Sequence, residues 1–146
     1  MALRHHVQAV EGTATDLEVN AAIATVPVVQ RTLIEQFGFA NVTVLPVSAT
    51  DIVLTLNVLD RDHTTVVYTR DLTIVHTAMP AVGDTVYRDL QAEGDLVIAE
   101  VGQFIQLDLS AEATGAGKDG NAHAFVAGSW LPSNREAMAT VDVVTA

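Results

Sequence analysis

The stretch IVLTLNVLDRDHTTVVYTRDLTI, residues 52–74, decides the fold class. Ile52, Leu54, Leu56 and Val58 recur at every second position, the period of a strand with one buried face. Asp60-Arg61-Asp62-His63 is a polar break, after which Val66, Tyr68, Leu72 and Ile74 resume the same period. Two such runs around a short polar break predict a long β-hairpin.

Outward from this hairpin the strand pattern continues in both directions. Val42 to Val47 alternates as a strand that ends near Pro46 and Ser48. Downstream, Pro80 and Gly83-Asp84 mark a turn before a strand at Val86, and Gly94-Asp95 separates that strand from Leu96 and Ile98. A tight turn near Val101-Gly102 leads to Ile105, Leu107 and Leu109. Ser110 to Asn121 carries no apolar side chain larger than alanine and predicts a surface loop. Ala122 to Trp130 alternates again, Pro132-Ser133-Asn134 turns the chain, and Thr140 to Thr145 closes with a last strand.

The N-terminal third reads differently. Residues 1–14 are an arm or an edge strand, with Leu3, Val7 and Val10 as its apolar points. Thr15 or Asp16 is placed to cap a short helical turn through Ala24. Pro27 suits a first helical position. Val29, Leu33 and Phe37 follow at i, i+4 and i+8, Arg31 and Glu35 pair at i, i+4, and Gly38 is a left-handed stop. This spacing predicts one short helix, with an extended arm at Val26-Pro27-Val28-Val29 as the alternative. The expected fold is therefore mainly β: an antiparallel β-sandwich or barrel, jelly-roll-like, of seven to nine strands with one short N-terminal helix. Neither an internal repeat nor a linker divides the chain, so residues 1–146 read as a single domain.

Composition supports the sheet and removes whole classes of function. Val (22), Ala (21) and Thr (16) supply about two residues in five, and the β-branched pair fits a pleated strand better than a helix. Eighteen acidic against seven basic residues give a formal net charge of −11. Phosphate neutralisation needs clustered cations, whereas Lys118 is the sole lysine and six arginines are scattered from Arg4 to Arg135. Direct nucleic-acid binding is not expected, nor is adhesion to an anionic membrane. The absence of cysteine excludes disulfides, thiolate catalysis and Cys-based zinc sites. No run reaches the 18 or so apolar residues of a membrane helix. Met1 to His6 turns polar at once and lacks a signal-peptide core, which predicts synthesis in the cytoplasm.

Each constellation that might carry chemistry has a plainer reading. His5-His6, His63, His76 and His123 show no His-x-His or His-Glu-x-x-His spacing. Only a metal gathered at His76 and His123 would revive a metal enzyme. Gly115-Ala116-Gly117-Lys118-Asp119-Gly120 has Asp where a phosphate loop needs Ser or Thr. Asp60 and Asp62 suit a solvated turn better than a calcium site. The pairs Asp84 and Asp89, or Glu93 and Asp95, lack an aromatic platform for sugar chemistry, with only Tyr87 near. Ser48, Ser110, Ser129 and Ser133 lie in no Gly-x-Ser-x-Gly elbow. No catalytic residue, cofactor or metal is assigned.

Recognition and assembly remain. A compact Ala/Val/Thr-rich β domain with no cysteine, almost no lysine and a short segment ahead of its strands resembles small virion proteins of tailed bacteriophages, above all capsid decoration (cement) proteins. The resemblance is of texture, covers the chain loosely and transfers no residue. It implies a virion protein, assembled in the host cytoplasm, that sits outside a capsid, binds the major capsid protein or other virion proteins, and forms a homo-oligomer, a trimer by preference. Other expectations weighed are a tail, neck or fibre-base subunit, and a carbohydrate- or receptor-binding β-sandwich using Tyr68 or Trp130. A 49% apolar fraction with positive mean hydropathy, +0.32, suits a chain with surface left for subunit contacts. The candidate contacts are Leu3, Val7 and Val10 in the arm, Val28, Val29, Leu33, Phe37 and Phe39 in the second segment, and Val141 and Val143 at the C-terminal end.

Overall fold

The computed structural model describes residues 5–9, 15–44, 48–115 and 120–131. Within them the chain forms ten strand segments and no helix: β1 (His5–Ala9), β2 (Thr15–Asp16), β3 (Ala21–Pro27), β4 (Thr32–Val44), β5 (Ile52–Leu59), β6 (Val66–Ile74), β7 (Val86–Asp89), β8 (Val97–Ala99), β9 (Phe104–Ala111) and β10 (Asn121–Trp130). Eight of these have four residues or more, and β2 and β8 are the short additions to the seven to nine expected. One sheet has six strands in the order β1-β10-β4-β7, with β2 also on β10 and β8 also on β4. The other has four in the order β3-β9-β5-β6. Every pairing is antiparallel.

The hairpin stands as its alternation predicts. β5 and β6 pair from Ile52↔Ile74 to Leu59↔Val66, and Ile52, Leu54, Leu56 and Val58 are all buried. Its tip closes through Asp60 N–H to Thr65 O and His63 N–H to Asp60 O, both 2.8 Å, with His63 at φ 66°. The Asp62 carboxylate accepts from the backbone N–H groups of Thr64 (2.9 Å) and Thr65 (2.8 Å) and from the Thr65 hydroxyl. Both acids of the break are thus turn-closing groups. The turns read at Gly83 and Gly102 carry φ near 90° at those glycines, a conformation side chains disfavour.

The predicted N-terminal helix is corrected. Thr15–Asp16 and Ala21–Pro27 are strands, and the segment from Thr32 runs as the longest strand, β4. Its buried residues, Ile34, Phe37, Phe39 and Val42, are spaced three, two and three apart. Two register shifts against β10 cause this: Ala127 pairs with Gln36 but Gly128 with Ile34, and Asn121 pairs with Val44 but His123 with Ala40. Each shift adds residues to β4 as a β-bulge does, so the buried set of the strand departs from a strict period of two.

Buried side chains from both sheets belong to one hydrophobic cluster: Ile34, Phe37, Phe39, Ala122, Ala124 and Val126 from the larger, and Leu54, Leu56, Ile105, Leu107 and Leu109 from the smaller. The sheets are also tied along one side by charge. Arg70 on β6 holds Asp95, in the β7–β8 connection, through Nε (2.5 Å) and Nη2 (2.9 Å). Arg88 on β7 donates to the Asp71 carbonyl on β6 at 2.9 Å and pairs with Glu93. A second β6 carbonyl, Thr69, accepts from Arg70 at 2.8 Å. These guanidinium groups occupy edge carbonyls of β6, one of the ways an edge strand is kept from pairing with another chain.

Candidate interaction face

A strand with one solvated face has a polar outer set, and the middle of the four-stranded sheet follows this rule, with Val53 toward one end of that face and Leu59 and Phe104 toward the other. Opposite its buried set stand Thr25, Gln106 and Asn57, joined by Gln106 Nε2 to Thr25 Oγ1 (3.3 Å) and Asn57 Nδ2 to Gln106 Oε1 (3.2 Å). Beside them Thr55 Oγ1 donates to Asp71 Oδ1 and lies against Ser110 Oγ, both at 2.7 Å. The ladder satisfies its own polar groups and presents the remainder to water.

The six-stranded sheet breaks the rule. In β10, Ala122, Ala124 and Val126 are buried while His123, Phe125 and Ala127 alternate with them on the other face. The register builds three rows across that face. Ala9, Phe125, Gly38 and Tyr87 form one. Val7, Ala127, Gln36 and Asp89 form the next, and His5, Ser129, Leu33 and Ile98 the third. Tyr87 is 50% exposed, and Leu96, just ahead of β8, is 64% exposed. Among the described residues no helix or further sheet lies over these rows.

Gly38 shapes the middle of the face. A Cβ there would sit 2.1 Å from the Val86 carbonyl oxygen and 2.6 Å from Tyr87 Cα. Only glycine lets the β7 backbone lie this close to β4. Three polar side chains of the face are engaged within the chain: Gln36 Nε2 donates to Asp89 Oδ2 (3.1 Å), the Ala92 N–H to Asp89 Oδ1 (3.0 Å), and the Ser129 hydroxyl to Glu35. A shallow cavity of about 240 Å³ flanks the face beside β8, lined by Leu33, Ile34, Gln91, Gly94, Asp95 and Leu96. A smaller one of about 60 Å³ lies at Trp130, against Pro27, Val28 and Ile105.

The residues weighed for chemistry fall into structural positions. Asp84 Oδ2 accepts from the Ala81 N–H at 2.9 Å, Glu93 pairs with Arg88, and Asp95 with Arg70. The Arg70 hydrogen bonds are the main reason the Asp95 carboxyl lies below the usual carboxylate range. His76 meets Asp51, Nδ1 to Oδ1 2.6 Å, at the open end of the hairpin. The His76 N–H and ring lower the Asp51 pKa, and the Asp62 pKa falls to about 2 because of the Thr65 hydroxyl and the turn N–H groups. Ser48 and Ser110 bond to threonine neighbours, and Ser133 lies outside the described residues. Among the described residues no three His, Asp or Glu side chains form a group able to hold a metal ion. No described helix is long and apolar enough to cross a membrane.

Of the predicted contact residues, the structure brings Leu33 and, by register, Val7 to one face. Val28, Phe37 and Phe39 are corrected: they are 6%, 0% and 0% exposed, so the core of this same chain already uses their surface. Val29 stands 80% exposed between β3 and β4. Leu3, Val10, Val141 and Val143 lie outside the described residues, as does the closing strand expected at Thr140 to Thr145. Sequence reasoning passed over Tyr87, Ile98, Phe125 and Ala127. The signal was present in Ala122 to Ala127, where both alternating sets are largely apolar, the mark of a strand covered on both faces. Comparison of the chain with protein families, curated proteins and solved structures finds no match.

Proposed function

We propose that this chain is a non-enzymatic structural subunit of a virus particle, decorating and stabilising the outside of a tailed-phage capsid through subunit contacts. One observation carries the reading: the two sheets differ in their outer faces, one with a satisfied polar ladder through its middle and the other with Leu33, Ile98, Phe125, Ala127 and Tyr87 in rows around Gln36, Asp89 and Ser129. Contiguous apolar surface on a soluble domain marks a contact site. In this reading the antiparallel sheets form a jelly-roll-like β-sandwich, with the polar sheet toward solvent and the apolar one toward its partners. Homo-oligomerisation, as a trimer, and contact with the major capsid protein follow from the decoration-protein resemblance. The structural hydrogen bonds of Asp84, Asp89, Glu93 and Asp95 support the non-enzymatic part.

The test is particle binding. Purified chain is mixed with shells assembled from a tailed-phage major capsid protein, then sedimented and imaged. Co-sedimentation with added density on the outer shell surface is the expected result. A chain that stays in the supernatant at saturating concentration overturns the capsid reading.

A further inference from the structure

We infer that the outer face of the six-stranded sheet is covered by a second copy of this chain, an inference that rests on the assembly reading above.

Size and charge point to this occupant. The ten residues of β10 span about 34 Å at the usual rise per residue, and four adjacent strands about 19 Å. The face thus offers roughly 650 Å², close to the ~800 Å² that each partner contributes to a standard stable interface. Like copies of a chain with net charge −11 repel one another at long range, so self-association requires a surface poor in unpaired acids. The six-stranded sheet is such a surface. Its described strands carry only Asp16, Glu35 and Asp89 of the eighteen acids in the sequence. Each already accepts a hydrogen bond within the chain, from the Glu18 N–H, from Ser129, and from Gln36 with the Ala92 N–H. A second copy seated here covers the apolar rows, and Asp89, held by the Gln36 amide and the Ala92 N–H, is the one carboxylate among them. The polar ladder of the other sheet offers no such gain, because stacking it would strip water from Thr25, Asn57, Gln106 and Asp108.

The experiment is light scattering after size exclusion at micromolar concentration, on the full chain and three variants. Tyr87→Glu and Ile98→Glu place a charge on the apolar rows, and Thr69→Glu places one on the polar sheet as a control. Thermal melts followed by circular dichroism confirm that each variant is folded. The wild type and Thr69→Glu are expected to be oligomeric, with both face variants shifted to monomer by a tenfold or greater weakening of association. A wild type that is monomeric, or an oligomer that folded Tyr87→Glu and Ile98→Glu leave intact, overturns the inference. A monomer that still sediments with shells overturns this inference alone. An oligomer broken by the face variants that never joins a shell overturns the capsid reading alone.

Discussion

Arg70 and Asp95 are joined by two hydrogen bonds, 2.5 Å from Nε and 2.9 Å from Nη2, and this fork bridges an edge strand of one sheet to a connection of the other. Both side chains are about a quarter exposed. Arg70→Ala is expected to lower stability by about 1 kcal/mol, the upper range for ion pairs that still touch solvent. Arg70→Lys should recover only part of this, since an ammonium cannot reproduce the planar fork. Urea denaturation of Arg70→Ala, Asp95→Ala and the double variant gives the coupling. Additive losses would show that the pair does not join the sheets.

Gly38 faces Tyr87 with no room for a methyl group. Its backbone is not in the left-handed region, so the cost of Gly38→Ala is steric displacement of β7. Overpacking against backbone typically costs 1–3 kcal/mol, and a loss of about 2 kcal/mol in chemical denaturation is expected. An unchanged midpoint would mean that β7 does not lie against β4 at this point.

Asp62 gives the hairpin tip an acid sensitivity. Its folded pKa of about 2 lies below the unfolded value of about 3.9. A depressed carboxylate stabilises the fold fully above the unfolded pKa and loses that contribution as pH falls through the folded one. Between about pH 4 and pH 2 the wild type should therefore lose stability faster than Asp62→Asn. Denaturation midpoints across this range provide the check, and parallel curves would contradict it.

The hairpin is legible because its single one-residue irregularity, at Val58/Leu59 opposite Tyr68 and Val66, lies near the tip and leaves the period of two intact from Ile52 to Val58 and at Leu72 and Ile74, whereas Val66 beyond it is 49% exposed. The β4 segment was misread for the opposite reason. The helix reading rests on Val29, Leu33 and Phe37, yet Val29 is 80% exposed, Leu33 stands on the outer face and Phe37 is in the core, because bulges near Glu35 and Asn41 break the period of two, and local spacing cannot show this without knowledge of β10. The same limit hid the interaction face. Tyr87, Phe125 and Leu33 are far apart in sequence, and only strand order places them on one surface. Phe37 and Phe39 belong to a segment that reads as a contact element, but their burial within the chain is a tertiary fact.

The absence of native cysteine allows a direct reading of the central claim, that the apolar outer face is a surface between copies. In Ala127→Cys the only thiol stands in the middle row of that face, next to Phe125 and Gln36 in the register. Its rate of maleimide labelling is measured from micromolar to nanomolar protein. The account predicts slow labelling at high concentration that accelerates at least tenfold on dilution, and fast labelling at every concentration once Ile98→Glu is added. A rate independent of concentration, and unchanged by Ile98→Glu, would contradict it.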